Sequence, residues 1–280
     1  MKPIGLINWD VDNVWYKGIS TSHCAEKSMA DPRSYLDGFV EKKWFSYDDV
    51  KNWQDSYNGG KEIITIKELA QCLTDFLYKM KKDDSSIITK EQTIEGKQSL
   101  LKGMTIKEVR KMADSIPYTD GLFDAVRVFK ENGLYQVAFS DGLWPFVCYK
   151  TKQLGMRYSE GVPTIIEENG TEKKFKKYMV NNNEIKLTGK VGKFSKFDAF
   201  KNHMKGRYSL CEAVLIDDSS ANAKSMKEVM ENGGLAVAFN PTDAHRKEFN
   251  SLSIPILKGN DLRPFIEIVK FPSEIGKYCE

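Results

Sequence analysis

Long apolar runs are missing from this 280-residue sequence. None approaches the roughly 18 apolar residues in a row that a membrane-spanning helix needs. The opening MKPIGLINWD is apolar for too few residues, and reaches an acid too early, to read as a signal peptide. Cysteine is sparse. Cys24, Cys72, Cys148, Cys211 and Cys279 are scattered, odd in number and free of C-x-x-C spacing. Neither a disulfide scaffold nor a zinc site is expected, and a reducing cytoplasm is the natural setting. The three histidines, His23, His203 and His245, lie far apart and leave little material for a histidine metal site or a Ser-His-Asp triad. They read as surface or structural residues. A strong charge imbalance is also lacking: 42 basic against 39 acidic residues give a net charge of +3. That favours neither nucleic acid nor a membrane as the main partner.

What is present is the composition of an ordinary soluble globular protein, 41% apolar and 29% charged, long enough for one large domain or two medium ones. Residues 3–9 (PIGLINW) read as a short buried strand. From 16 to 116 helical patterns dominate. IKELAQCLTDFLYKM (66–80) sets Leu69, Cys72, Leu73, Phe76, Leu77 and Met80 at helical spacing, and Thr105 with Glu108 forms a capping-box pattern. The polar KKDDSSIITKEQTIEGK between them (81–97) reads as exposed. After Pro117 strands and helices alternate: a helix stopped by Gly133, the strand 134–139, a helix to Gly155, and a polar insertion with a hairpin turn at EENG. A helix over 195–205, the strand 213–216, a helix to Gly233-Gly234, the strand 235–239 and a helix near 260–270 follow. Such alternation builds a doubly wound parallel α/β sheet. The expected core is residues 1–15 with 117–280, and residues 16–116 form a mostly helical insert. No internal repeat is apparent.

Ligands of such sheets bind beyond the carboxyl ends of the strands. The first strand ends on Asp10-Val11-Asp12, the strand at 134–139 on Ser140-Asp141-Gly142, and the strand at 213–216 on Asp217-Asp218. A lysine-bearing helix, GKVGKFSKFDAF, lies between the last two. Each piece alone is weak, since Ser-Asp-Gly or Asp-Asp after a strand also serves as a turn or helix cap. Together they place carboxylates, a hydroxyl and a lysine on one edge of one sheet. That inventory suits phosphate and a hard divalent cation.

These motifs resemble the haloacid dehalogenase (HAD) superfamily, most of whose members are magnesium-dependent phosphatases. INWDVDNVW resembles its first motif, QVAFSDG the second, KFSKFDAF the third-motif lysine and AVLIDDSSAN the acidic fourth. The flanks MTIKEVRKMADSIPYTDGLFDAVRVFKENG, SDGLWPFVCYKTKQLGM and GGLAVAFNP are similar to the phosphoserine phosphatase-like branch. The likeness follows the family's order through the core and fades in the insert, which sits where the family places a helical cap.

The resemblance implies a phosphomonoester hydrolase acting on a small phosphorylated metabolite. Asp10, ionised at neutral pH, would attack phosphorus to give an aspartyl-phosphate, and Asp12 would protonate the leaving oxygen. Mg2+ would take ligands from Asp10, Asp218 and the Asp12 backbone carbonyl. Ser140, with Asp141, Gly142 and the amides opening the next helix, would hold the phosphoryl group. The charge-balancing lysine would be Lys196, with Lys193 and Lys190 as alternatives. Where the family has Gly-Asp-x-x-x-Asp, this chain has Asp217, Asp218 and Asn222, so either Asp217 or Asn222 would complete the metal shell. The same motifs serve a phosphotransferase or phosphomutase, and a degenerate site would leave a non-catalytic phosphate binder. Trp15 and Tyr16 read as pocket lining or as packing. The lysine-rich stretch 173–196 reads as a solvated hairpin face. Substrate identity and oligomeric state are not legible.

Overall fold

The computed structural model describes residues 3–25, 31–82 and 85–280. In chain order its elements are β1 (Leu6–Trp9), α1 (Ser20–Ala25), α2 (Pro32–Glu41), α3 (Tyr47–Tyr57), α4 (Ile66–Tyr78), β2 (Lys81–Lys82), β3 (Ser85–Ser86), α5 (Lys90–Ser99) and α6 (Ile106–Ser115). Then come α7 (Leu122–Glu131), β4 (Tyr135–Leu143), α8 (Trp144–Gln153), β5 (Tyr158–Val162), β6 (Thr164–Glu168), β7 (Thr171–Lys174), β8 (Lys186–Val191) and α9 (Lys196–Met204). The chain closes with β9 (Ala213–Asp217), α10 (Ala223–Glu231), β10 (Leu235–Ala238), α11 (Asp243–Ser251), α12 (Arg263–Lys270) and α13 (Ile275–Tyr278).

Two compact units share the chain: residues 1–18, 113–162 and 193–280 form the first, and 19–112 with 163–192 the second. The first is the expected α/β core. Its five strands pair in parallel in the order β10-β9-β1-β4-β5. From β1 the chain builds outward through β4 and β5, then returns to β9 and β10 on the other side. The order therefore reverses at β1, where the carboxyl ends of β1, β4 and β9 frame a crevice.

Both faces of the sheet are buried, as a parallel sheet requires. On one face Trp9 meets Phe129 of α7 and Phe265 of α12 at ring separations of 6.0 and 5.4 Å. On the other, Leu6, Val137 and Phe139 share a core with Phe200 of α9 and with Met226 and Val229 of α10. The two faces hold β1 from both sides, so its carboxyl end is fixed in direction.

The strand expected over 134–139 runs on to Leu143, and its pairing with β5 shifts register between Phe139 and Leu143. That irregularity falls on Ser140-Asp141-Gly142. Gly161 of β5 fits closely there, since a Cβ would stand 3.0 Å from Trp144 Cα and 3.1 Å from the Gly142 carbonyl oxygen.

The second unit holds more than the helical insert. Residues 163–192, read from sequence as part of the core, form the antiparallel sheet β7-β6-β8 and cluster with residues 19–112. The unit boundaries fall after residues 18 and 112, against 15 and 116 from the sequence. The expected hairpin turn is present, with Asn169 and Gly170 both at positive φ, 52° and 73°. The capping box of Thr105 and Glu108 also forms. The polar stretch read as exposed differs: residues 83 and 84 lie outside the described residues, and 90–99 make α5. Its capping box joins Thr89 to Gln92, and Thr93, Gly96, Lys97 and Gln98 are buried.

Candidate active site

The parallel register aligns Trp9 with Ala138 on one side and Ile216 on the other, so the residues that follow converge on one edge. The Asp10 amide donates to the Ile216 carbonyl at 3.0 Å, which ties the end of β1 to β9. Asp217 is the last residue of β9, Asp218 follows it, and Lys196 opens α9 behind its Ser195 cap. Asp10, Ser140, Lys196, Asp217 and Asp218 are all buried.

Lys196 is the centre of this group. Its Nζ lies 2.8 Å from Asp10 Oδ1 and 2.5 Å from Asp217 Oδ2. Of the other two candidate lysines, Lys193 is exposed and Lys190 pairs with Glu172 in the second unit. Lys173 pairs with Glu168. The hairpin lysines thus lie at or near the solvent, as read, while Lys196 at the end of the same stretch is drawn inside.

Asp217 is fully engaged. Its Oδ1 accepts from the Ser219 amide at 3.0 Å and from Asn222 Nδ2 at 3.2 Å, and its Oδ2 also receives Asn222 Nδ2 at 3.1 Å. Asn222 therefore turns its amide hydrogens toward a carboxylate. Asp218 accepts from Asn13 Nδ2 at 2.8 Å. The Asp12 carboxylate accepts the Tyr16 hydroxyl hydrogen. Ser140 Oγ accepts from the Gly142 amide at 3.1 Å.

The sequence reading gives no part to Asn13 and no part in the chemistry to Tyr16. Asn13 closes the loop after β1, its side-chain oxygen accepting from the Gly18 amide at 2.8 Å and its backbone N–H donating to the Gly18 carbonyl at 3.0 Å. It holds φ at 58°, a conformation that Asn adopts more readily than most residues. An Asn directly after D-x-D was the available signal. Tyr16, read as lining or packing, is fully buried against Phe146 and donates to Asp12. His203 stacks on Tyr158, and buried His245 contacts Ser220 Oγ through Nδ1 at 2.9 Å.

Three carboxylates around one ammonium set the electrostatics. Burial pushes Asp10 up to about 7, Lys196 opposing and Asp217 and Asp12 adding to the rise. Burial, then the charges of Asp10 and Asp217, also raise Asp218 well above the ordinary carboxyl range. Burial would lower the Lys196 ammonium, but Asp10 and Asp217 outweigh it and hold the lysine above its usual value, with Asp141 adding to them.

The charge balance fits a hard divalent cation. Asp10, Asp217 and Asp218 bring carboxylate oxygens within 4.8 Å of one another, and Lys196 alone cannot balance three buried carboxylates.

By sequence, no protein-family model and no curated protein matches this chain. Solved structures do. A structure described as a phospho-aspartyl intermediate analogue of phosphoserine phosphatase shares 20% identity, with a TM-score of 0.62 over 96% of this chain and 99% of the other. The chain has the phosphoserine phosphatase fold. A substrate-bound phosphoserine phosphatase gives 19% identity and a TM-score of 0.63, covering 97% and 99% of the two chains. A HAD family hydrolase from Salmonella enterica subsp. enterica serovar Typhi gives 13% and 0.55, covering 88% of this chain and 66% of that one. The fold expected from that resemblance is the one these solved structures share with this chain.

Proposed function

We propose that this protein is a magnesium-dependent phosphatase that hydrolyses a small phosphomonoester through an aspartyl-phosphate on Asp10. The observation that carries this reading is the buried contact of Lys196 with Asp10, beside the carboxylate of Asp218, at the sheet's topological switch point.

Each residue has a task in that chemistry. Asp10 and Asp218 offer the oxygens that would hold the cation. Magnesium, when bound, would neutralise these carboxylates and the phosphoryl oxygens, keeping Asp10 ionised. Lys196 fixes Asp10 Oδ1, which leaves Oδ2 to attack phosphorus. As the Asp10–phosphorus bond forms, the bond to the leaving oxygen breaks, and Asp12 gives that oxygen its proton. Asp12 then takes a proton from water, the water oxygen attacks phosphorus, and Asp10 is released as carboxylate. Tyr16, donating to Oδ1 of Asp12, orients the acid. Ser140 and the amides of its loop would receive the phosphoryl oxygens.

Five free thiols suit the reducing cytoplasm expected from their spacing. Among the described residues no helix is long and apolar enough to cross a membrane.

The test is a screen of phosphorylated metabolites with and without magnesium. Turnover of a small phosphomonoester that vanishes with chelator is expected. Tight binding of phosphate analogues without turnover of any ester would replace this reading with that of a binder.

A further inference from the structure

Asp217 stands where the resembled pattern has glycine, and Asn222 stands where that pattern has its second acid. The two side chains touch. Asn222 Nδ2 reaches both carboxylate oxygens of Asp217, at 3.2 and 3.1 Å, and Lys196 Nζ reaches Oδ2 at 2.5 Å. The Ser219 amide takes the remaining direction at Oδ1, at 3.0 Å. Four donor contacts from three groups thus surround one carboxylate that is 5% exposed. By contrast, among the described residues Asp218 receives a single side-chain donor, from Asn13, and Asp10 a single one, from Lys196.

We infer that Asp217 is a positioning residue that anchors Lys196 against Asp10, not a ligand of the cation, and that it supplies from position 217 the negative charge missing at position 222. The inference deepens the phosphatase reading and rests on it for its kinetic and magnesium arms. A metal ligand needs a lone pair aimed at the ion, and those of Asp217 are spent on Lys196, Ser219 and Asn222. The lysine, held by two carboxylates from two strands, has one place to stand. Its charge is therefore set beside the attacking oxygen before substrate arrives. Asn at 222 is the matching choice, because a carboxylate there would face that of Asp217 with no hydrogen between them. The amide and the acid form one unit, and their identities are exchangeable only together.

The experiment is a cycle of Asp217→Asn, Asn222→Asp and the double exchange, with Asp218→Asn as the ligand control. Thermal unfolding of the metal-free protein, calorimetric binding of magnesium alone, and turnover are read for each. Both single variants should unfold at lower temperature and lose about tenfold or more in kcat. The double exchange should recover most of both losses. Asp217→Asn should bind magnesium within about threefold of the parent, while Asp218→Asn should not bind it measurably. Losses that simply add in the double variant would overturn the inference. So would loss of magnesium binding in Asp217→Asn equal to that in Asp218→Asn. A parent that hydrolyses no phosphomonoester would remove the phosphatase reading, and the unfolding cycle would still decide this one.

Discussion

Lys196 Nζ stands 2.8 Å from Asp10 Oδ1, with both side chains almost wholly withdrawn from water. Lys196 is contributed by the first turn of a helix, and Asp10 follows the first strand of the sheet. Removing the ammonium strands carboxylates that burial already disfavours. Lys196→Met should therefore cost about 3–5 kcal/mol of stability near neutral pH. The loss should shrink in mild acid, where Asp10 and Asp218 take up protons instead. Urea unfolding of parent and variant at several pH values reads both effects, and an equal loss at every pH would contradict the pairing.

The protonation of Asp10 gives a second expectation. Burial raises its carboxyl from 3.8 to about 7, so the folded chain holds a proton there that the unfolded chain has released. The stabilising contribution is complete below about 3.8 and disappears as pH rises through about 7. Metal-free protein should lose stability over that window, and added magnesium should restore more of it at about pH 8 than at about pH 5. Burial lowers His203 and His245, which acts in the opposite sense. The comparison is therefore between parent and Asp10→Asn, in which the Asp10 contribution is gone together with its raising effect on Asp218, while the histidines are unchanged. Identical pH profiles for the two proteins would refute it.

Tyr16 tests the acid role of Asp12. Tyr16→Phe keeps the ring against Phe146 and removes the hydroxyl donated to Asp12. Hydrolysis of alkyl phosphates, whose leaving oxygen needs a proton, should slow about tenfold or more, and activated aryl phosphates should be affected less. Equal slowing of both classes would assign Tyr16 to packing alone.

Much of this was legible beforehand, and the failures have physical causes. β1, β9 and β10 are apolar runs of a buried parallel sheet, so their ends, and with them Asp10, Asp217 and Asp218, could be read directly. β5 (YSEGV) was missed because it is short, mixed in polarity and interrupted by glycine. α5 was missed because KEQTIEGKQS has almost no apolar face. It is held instead by its cap and by Gly96, which lets Trp44 and Leu73 approach closely. Contacts such as Asn13 with Asp218, 205 residues apart, have no local signature at all. Nor did the pattern reveal that residues 163–192 would leave the core for the second unit, since a hairpin's alternation says nothing about its partner.

Gly161 offers a structural check on the Ser140 loop. A methyl group there would meet Trp144 Cα at 3.0 Å and the Gly142 carbonyl oxygen at 3.1 Å, both backbone atoms that cannot swing away. Gly161→Ala should cost about 1–3 kcal/mol. It should also weaken phosphate inhibition by shifting the loop that carries Ser140. Undiminished phosphate binding in a destabilised variant would separate the loop from the ligand.

The most direct test traps the phosphoryl group on the protein. Parent enzyme mixed with a substrate found in the screen and quenched in acid should carry one added phosphoryl group by mass spectrometry, mapped to Asp10. Asp10→Asn should carry none and lose turnover by a factor on the order of 10,000, with its fold intact. An Asp10→Asn protein that still turns over at the parental rate, or a phosphoryl group mapped to another residue, would contradict nucleophilic attack by Asp10.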